Sequence, residues 1–243
     1  NSIRYGLETR QGFSGNAMNI EALIISTDEP QLERCLESVK NQTIPFSNIV
    51  HINGVVPESV AFNRGMSLIT EEWVMHIAGD FILYENAVAV AIENMEKYHD
   101  DKIFTYTYQV YDAFLKCDLC GCSVSRASAY KSVPFRDVLS DDIWAGRRLL
   151  RQGLIRKDLQ DIVIGTHFDS PDEFQVFRRF YARGIKRDWR NFGRILNALA
   201  NGNPMYELAL KALEFGNLKK HYPTSHNIDF DRKMFEEFNG RKV

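Results

Sequence analysis

The chain has 243 residues and a formal charge of −2 with acids and bases interspersed, and it is 44% hydrophobic and 12% aromatic. That composition excludes a disordered chain, and the even spread of charge lacks the clustered Lys and Arg of a nucleic-acid footprint. Apolar runs fall short of the roughly 20 residues a membrane helix needs, and the N-terminus lacks the basic-then-apolar order of a secretory signal; the reading is a cytoplasmic protein without a transmembrane segment.

Residues 1–17 are polar and Gly-rich with no sustained period, and they are set aside as a leader or tail. Residues 22–26 (ALIIS) form a buried strand. Thr27-Asp28-Glu29-Pro30 then gives a helix-start signal before Leu32, Cys35, Leu36 and Val39 at helical spacing. A second strand, residues 49–52 (IVHI), meets the turn dipeptide Asn53-Gly54, and residues 58–68 read as a helix. Residues 73–83 (WVMHIAGDFIL) are an apolar strand that stops at Gly79 and presents Asp80 at the rim. In an open α/β sheet the crevice beyond the carboxyl ends of the strands is where ligands bind. A helix over 86–98 follows, and the alternation predicts a parallel sheet with helical crossovers.

Residues 103–114 have the aromatic and Thr content of a strand or hairpin, continued by 121–125. A loop at 134–137, a helix over 142–152 ended by Gly153, and a short strand over 161–166 ending at His167 come next. From Glu173 onward the chain is mainly helical, with breaks near 201–204 and 216–217. Cys117, Cys120 and Cys122 are crowded together, with Cys35 far upstream. A structural zinc site wants four ligands and a partner pair is absent, so these read as small buried residues on a strand.

Three polar stations recur: Asp80 after a strand, Asp141-Asp142 at a helix start, and His167 after a strand. Each has a structural explanation, since Asp is a common turn former and an N-cap contributes about 1 kcal/mol. Jointly they read as one active site.

In this order the segments ALIISTDEPQLERCLESVKNQ, IVHING, NRGMSL, WVMHIAGDFIL, GCSVSRASAY, SDDIWAGRRLLRQGL and DIVIGTHF resemble the nucleotide-sugar glycosyltransferases of family 2, from Ile20 to about Gly184. The resemblance implies a GT-A-like α/β fold over residues 18–186, a mixed and mostly parallel sheet flanked by helices, with a helical C-terminal region over 187–243. Leu36, Ser38 and Gln42 are similar to the family's L-x-S-x-x-x-Q. Asn63 and Gly65 match its Asn-x-Gly helix, which closes over the sugar nucleotide, and Arg64 joins the implied donor-binding set.

Asp80 matches the last Asp of the family's DxD, and His167 matches a His that completes the metal shell in some members. The implied cofactor is Mn2+ or Mg2+, with the imidazole favouring Mn2+. Asp142 stands at the catalytic base of an inverting transfer, with Asp141 in place of the family's Glu and Arg148 on the following turn. Thr27, Asp28 and Asn53 are placed around the base and ribose.

The implied partners are a nucleoside-diphosphate sugar and an unidentified glycan, lipid-linked or protein acceptor, compatible with peripheral membrane contact and polysaccharide biosynthesis. Two departures stand out: Ala78 replaces the first DxD Asp, and Asn53 or Ile52 replaces the acid at the end of the second strand. The competing reading, motivated by Ala78, is a non-catalytic sugar-nucleotide-binding or scaffold protein. A nucleotidyltransferase wants a Gly-rich loop with a basic residue after the first strand, and STDEPQ has neither.

Overall fold

The computed structural model describes residues 2–5, 18–137, 141–168, 172–185, 196, 202, 204–219 and 228–240. Strand β2 (Ile20–Ser26) is buried along its whole length, as expected of an apolar run flanked by parallel neighbours. It pairs in parallel with β3 (Ile49–Asn53) and β4 (Trp73–Ala78). The crossovers are α1 (Leu32–Lys40) and α2 (Glu58–Leu68). One acid lies inside this unit. The Glu21 carboxylate is fully buried and accepts hydrogen bonds from the Thr70 and Glu71 amides, the Thr70 hydroxyl and the Asn48 side chain, which offset the cost of removing it from water.

After β4 come β5 (Phe81–Leu83), α3 (Ala87–Lys97), β6 (Ile103–Asp112), β7 (Cys117–Arg126), α4 (Ala127–Ser132), α5 (Asp141–Arg151) and β8 (Ile155–His167). With β1 (Ser2–Tyr5), the described strands form one eight-stranded sheet in the order β1-β3-β2-β4-β7-β6-β8-β5. The sheet is mixed. Its parallel pairs are β3-β2, β2-β4 and β6-β8, and its antiparallel pairs are β1-β3, β4-β7, β7-β6 and β8-β5. One apolar layer joins Ile24, Met75 and Tyr106 to Cys35, Ala91 and Met95. The other joins Leu23, Val74 and Phe104 to Ala61, Tyr130 and Leu149.

The structure departs from the sequence reading in three places. Residues 2–5, set aside as part of a leader or tail, add an antiparallel strand to β3. Strand β8 begins at Ile155 rather than at 161, because parallel pairing with β6 holds a polar stretch (IRKDLQ) of weak strand propensity. Cys120 is exposed whereas Cys122 is buried. Tyr108 pairs with Cys122 but Gln109 pairs with Cys120, so Gly121 is the extra residue of a bulge and strand parity changes there. A Cβ on Gly121 would stand 2.5 Å from a Val110 methyl group, so the bulge is glycine-dependent.

The chain packs as two units, Asn1–Phe168 and Asp169–Val243. The second unit contains α6 (Glu173–Ile185), α7 (Pro204–Leu218) and α8 (Ile228–Gly240). Phe177, Tyr181, Phe215, Phe235 and Phe238 meet there ring to ring. Among the described residues no helix is long and apolar enough to cross a membrane.

Candidate active site

Strand β4 ends at Ala78, and the Gly79-Asp80 turn swings the chain into β5, whose antiparallel register sets Phe81 opposite His167 on β8. Strand β6 runs parallel to β8 and sets Asp112 level with the same histidine. Three strand ends thus deliver three titratable groups to one point. His167 Nε2 lies 3.0 Å from Asp80 Oδ2, and Nδ1 lies 3.2 Å from Asp112 Oδ2. The backbone fixes this arrangement: the Phe168 amide donates to the Asp80 carbonyl at 2.9 Å, and the Ala113 amide donates to the His167 carbonyl at 3.0 Å. The Phe81 ring packs edge-on against the imidazole at 4.9 Å.

The three differ in access to solvent, with side-chain exposures of 21% for Asp80, 18% for His167 and 0% for Asp112. Asp112 also accepts the Leu115 amide at 2.7 Å through Oδ1. Burial disfavours the charged imidazole, but hydrogen bonds and charge from Asp112 and Asp80 outweigh it and raise the pKa of His167 to about 9.

The donor set suits a hard or borderline divalent cation. One carboxylate oxygen and one imidazole nitrogen stand together, and a buried carboxylate holds the far ring nitrogen, the outer partner that metal-bound histidines commonly have. Among the described residues no cluster of three or more His, Cys, Asp or Glu side chains forms a metal cage. Other ligands would have to come from substrate oxygens and water, as Mg2+ and Mn2+ allow.

A second polar group forms where β2 and β3 end. The Ser26 hydroxyl donates to Asn53 Oδ1 at 2.8 Å and lies 2.7 Å from His51 Nε2. The Asn53 side-chain amide donates to Asp28 Oδ1 at 2.8 Å, and burial lowers the His51 pKa. Asp28 has a φ of +66°, a left-handed conformation that short polar side chains tolerate. The Glu29 carboxylate accepts the Thr27 amide and hydroxyl at 2.9–3.0 Å. A Cβ on Gly79 would lie 2.5 Å from Glu29 Oε2 and 2.7 Å from Ser26 Cβ, so Gly79 lets this group close against the turn that carries Asp80.

The remaining sequence-predicted residues are carried by α2 and α5. Asn63 grips the Phe135 backbone with both halves of its amide, Nδ2 to the carbonyl at 2.8 Å and Oδ1 from the amide at 2.9 Å. It thereby ties α2 to the segment ahead of α5. Arg64 is exposed on α2. Asp141 opens α5, and its side chain lies outside the described residues. Asp142 is exposed on the first turn of α5. The Arg148 guanidinium lies 5.1 Å from the Trp144 ring and that of Arg136 lies 4.8 Å from it.

Three site residues escaped the sequence reading. Asp112 ends an aromatic strand just as Asp80 follows one, so the same strand-end signal was present. In the sequence Glu29 belongs to a helix-start signal and Ser26 ends a strand. Their roles depend on which strands lie side by side.

No family model and no curated protein sequence matches the chain. Solved structures do. A mannosyltransferase from Pyrobaculum calidifontis, PcManGT, in complex with GDP-Man and Mn2+, superposes with a TM-score of 0.53 at 13% identity, covering 90% of this chain and 73% of its own. S. aureus TarS 1-349 in complex with UDP superposes with a TM-score of 0.48 at 12% identity, covering 73% and 69%. The likeness to PcManGT shows a GT-A-like fold, a mixed sheet flanked by helices.

Proposed function

We propose that the protein is an inverting glycosyltransferase of the family 2 type, moving a hexosyl group from a nucleoside-diphosphate sugar with the help of Mn2+ or Mg2+. The observation that carries this reading is the convergence of Asp80 and His167, 87 residues apart, with Asp112 behind the imidazole. Asp80 and His167 would hold the cation, and Asp112 would fix the imidazole from behind. When bound, the cation neutralises charge developing on the departing diphosphate. An imidazole ligand favours Mn2+ over Mg2+.

Thr27, Asp28 and Asn53 take the nucleoside, with Ser26, itself in contact with His51, bracing Asn53. Arg64 and Arg148 complete the donor-binding set as cations together with Asp141, the residue before Asp142 in sequence, and Asn63 positions the segment leading into α5. Asp142 accepts the proton of the acceptor hydroxyl as that oxygen bonds to the anomeric carbon, while the carbon–oxygen bond to the diphosphate breaks and its electron pair leaves with the diphosphate. The acceptor is a glycan, a lipid-linked sugar or a protein, and we assign the enzyme to cytoplasmic polysaccharide biosynthesis.

A thermal-shift screen of UDP- and GDP-sugars with and without Mn2+, followed by release of free diphosphate for any hit, tests the proposal. A metal-dependent rise in Tm with turnover supports it; no shift with any donor sinks it. Ala78, in place of the first DxD acid, favours one other reading, a sugar-nucleotide-binding protein without turnover, which predicts the shift and no diphosphate.

A further inference from the structure

Helix α5 and the turn after it carry one sign of charge, against the interspersed charge of the chain as a whole. From Ile143 to Lys157 the sequence has Arg147, Arg148, Arg151, Arg156 and Lys157 and no acid. Arg156 is paired with Asp158 at 2.6 Å, but Arg147 and Arg151 are exposed and have no ion-pair partner among the described residues. These two arginines stand four residues apart with Leu150 between them, positions that share one face of a helix. The opposite side of α5 is the packed one, where Ala145 and Leu149 are buried in the apolar layer with Leu23, Val74 and Phe104.

Apolar side chains interrupt the basic face. Leu150 is 45% exposed and Ile155 38% exposed. Gly153, at a φ of +84°, closes the helix, and its amide donates to the Leu150 carbonyl at 3.0 Å. Ile155 therefore emerges one short turn after Leu150, beside the same arginines in sequence.

An anionic bilayer satisfies both halves of this surface. Its phosphates attract the guanidinium groups, and the boundary beneath them takes the apolar side chains. A nucleic acid would use the cations and leave Leu150 and Ile155 without apolar partners.

We infer that α5 and the turn over 152–155 form a docking surface for a membrane carrying anionic lipid, with Arg147 and Arg151 at the headgroups and Leu150 and Ile155 inserted below them. The surface stands on its own geometry, whereas its role rests on the transferase reading above. Asp142 is on the same helix, roughly 13 Å along the axis from Arg151 at about 1.5 Å per residue. A docked α5 holds the proposed base near the surface from which a lipid-linked acceptor projects.

Flotation of the full chain with vesicles tests this, using phosphatidylcholine alone and equal parts of phosphatidylcholine and phosphatidylglycerol. We expect binding to the anionic vesicles only. The double variant Arg147→Gln/Arg151→Gln should lower the partition coefficient about 25-fold, roughly fivefold for each cation, with Tm unchanged. Leu150→Ser/Ile155→Ser should remove the part of the binding that survives high salt, since salt screens the charges and not the apolar contact. Equal binding to both kinds of vesicle, or binding that neither variant weakens, overturns the surface. Release by millimolar glycerol 1-phosphate, or tighter binding to a DNA duplex than to the vesicles, overturns the lipid assignment. UDP and GDP with Mn2+ are tested in parallel for a rise in Tm. A rise without vesicle binding sinks the docking surface and leaves the transferase reading standing. Vesicle binding without a rise keeps the surface and sinks its role in presenting an acceptor.

Discussion

Asp112 and His167 are register partners on parallel strands, and the fully buried Asp112 carboxylate lies 3.2 Å from His167 Nδ1. The carboxylate sets the ring's orientation and leaves Nε2 toward Asp80. Asp112→Asn keeps the shape and an oxygen for the Leu115 amide but removes the charge. It is expected to weaken Mn2+ binding in the presence of nucleoside diphosphate by about 10–100-fold, the usual cost of losing such an outer partner. Electron paramagnetic resonance of free Mn2+ reads this without relying on turnover. An unchanged affinity would remove Asp112 from the site.

Asp142 is exposed and stands at the start of α5, so neutralising it leaves the core untouched. Asp142→Asn is expected to lower kcat by about 10²–10⁴-fold, the range for losing a general base, while donor KM and Tm stay at wild-type values. Steady-state kinetics with the donor identified by thermal shift would decide. Equal losses in donor affinity and kcat would make Asp142 a binding group and not the base.

The sheet's parallel centre and the stations at Asp80 and His167 were legible because each follows a local apolar run, and a strand end is a local signal. Asp112 was not, because its partner lies 55 residues away and only the parallel β6-β8 register brings the two together. Strand β8 was read short for a related reason: its first half is polar, and pairing rather than composition makes it a strand. Cys120 went astray by one residue of parity, since a bulge at Gly121 leaves no trace in an alternation pattern beyond the glycine itself. The helix bearing Asp142 was read to within one residue of its observed start, but what faces that residue depends on strands far away in sequence.

Gly79 lies where the turn bearing Asp80 meets the end of β2. An added Cβ would stand 2.7 Å from Ser26 Cβ and 2.5 Å from Glu29 Oε2, and neither neighbour is free to move: Ser26 is buried in β2, and Glu29 is held by Thr27. Gly79→Ala is expected to destabilise the fold by about 1–3 kcal/mol, the usual cost of overpacking, and to weaken nucleoside-diphosphate binding. Chemical denaturation and calorimetry with UDP or GDP check the two effects separately. Wild-type values in both would mean that the close approach is not a constraint.

His76 supplies a pH dependence that is separate from the active site. Part of the residue's surface reaches solvent, but its Nε2 is buried with no hydrogen-bond partner among the described residues. The rings of Phe62, Tyr130 and Phe135 surround the imidazole. Burial lowers its pKa from 6.5 to about 4. The folded-state pKa lies below the unfolded one, so the unfolded chain binds the proton first as pH falls. The stability that depends on a neutral His76 is therefore fully present above pH 6.5 and is lost progressively between 6.5 and about 4. A shift of this size corresponds to a loss on the order of 3 kcal/mol across that window. In His76→Phe, which keeps an aromatic ring in the same cage, urea-unfolding free energies are expected to fall less steeply over this range than in the wild type. Parallel pH profiles for the two proteins would show that His76 is protonated or solvated in the folded state after all.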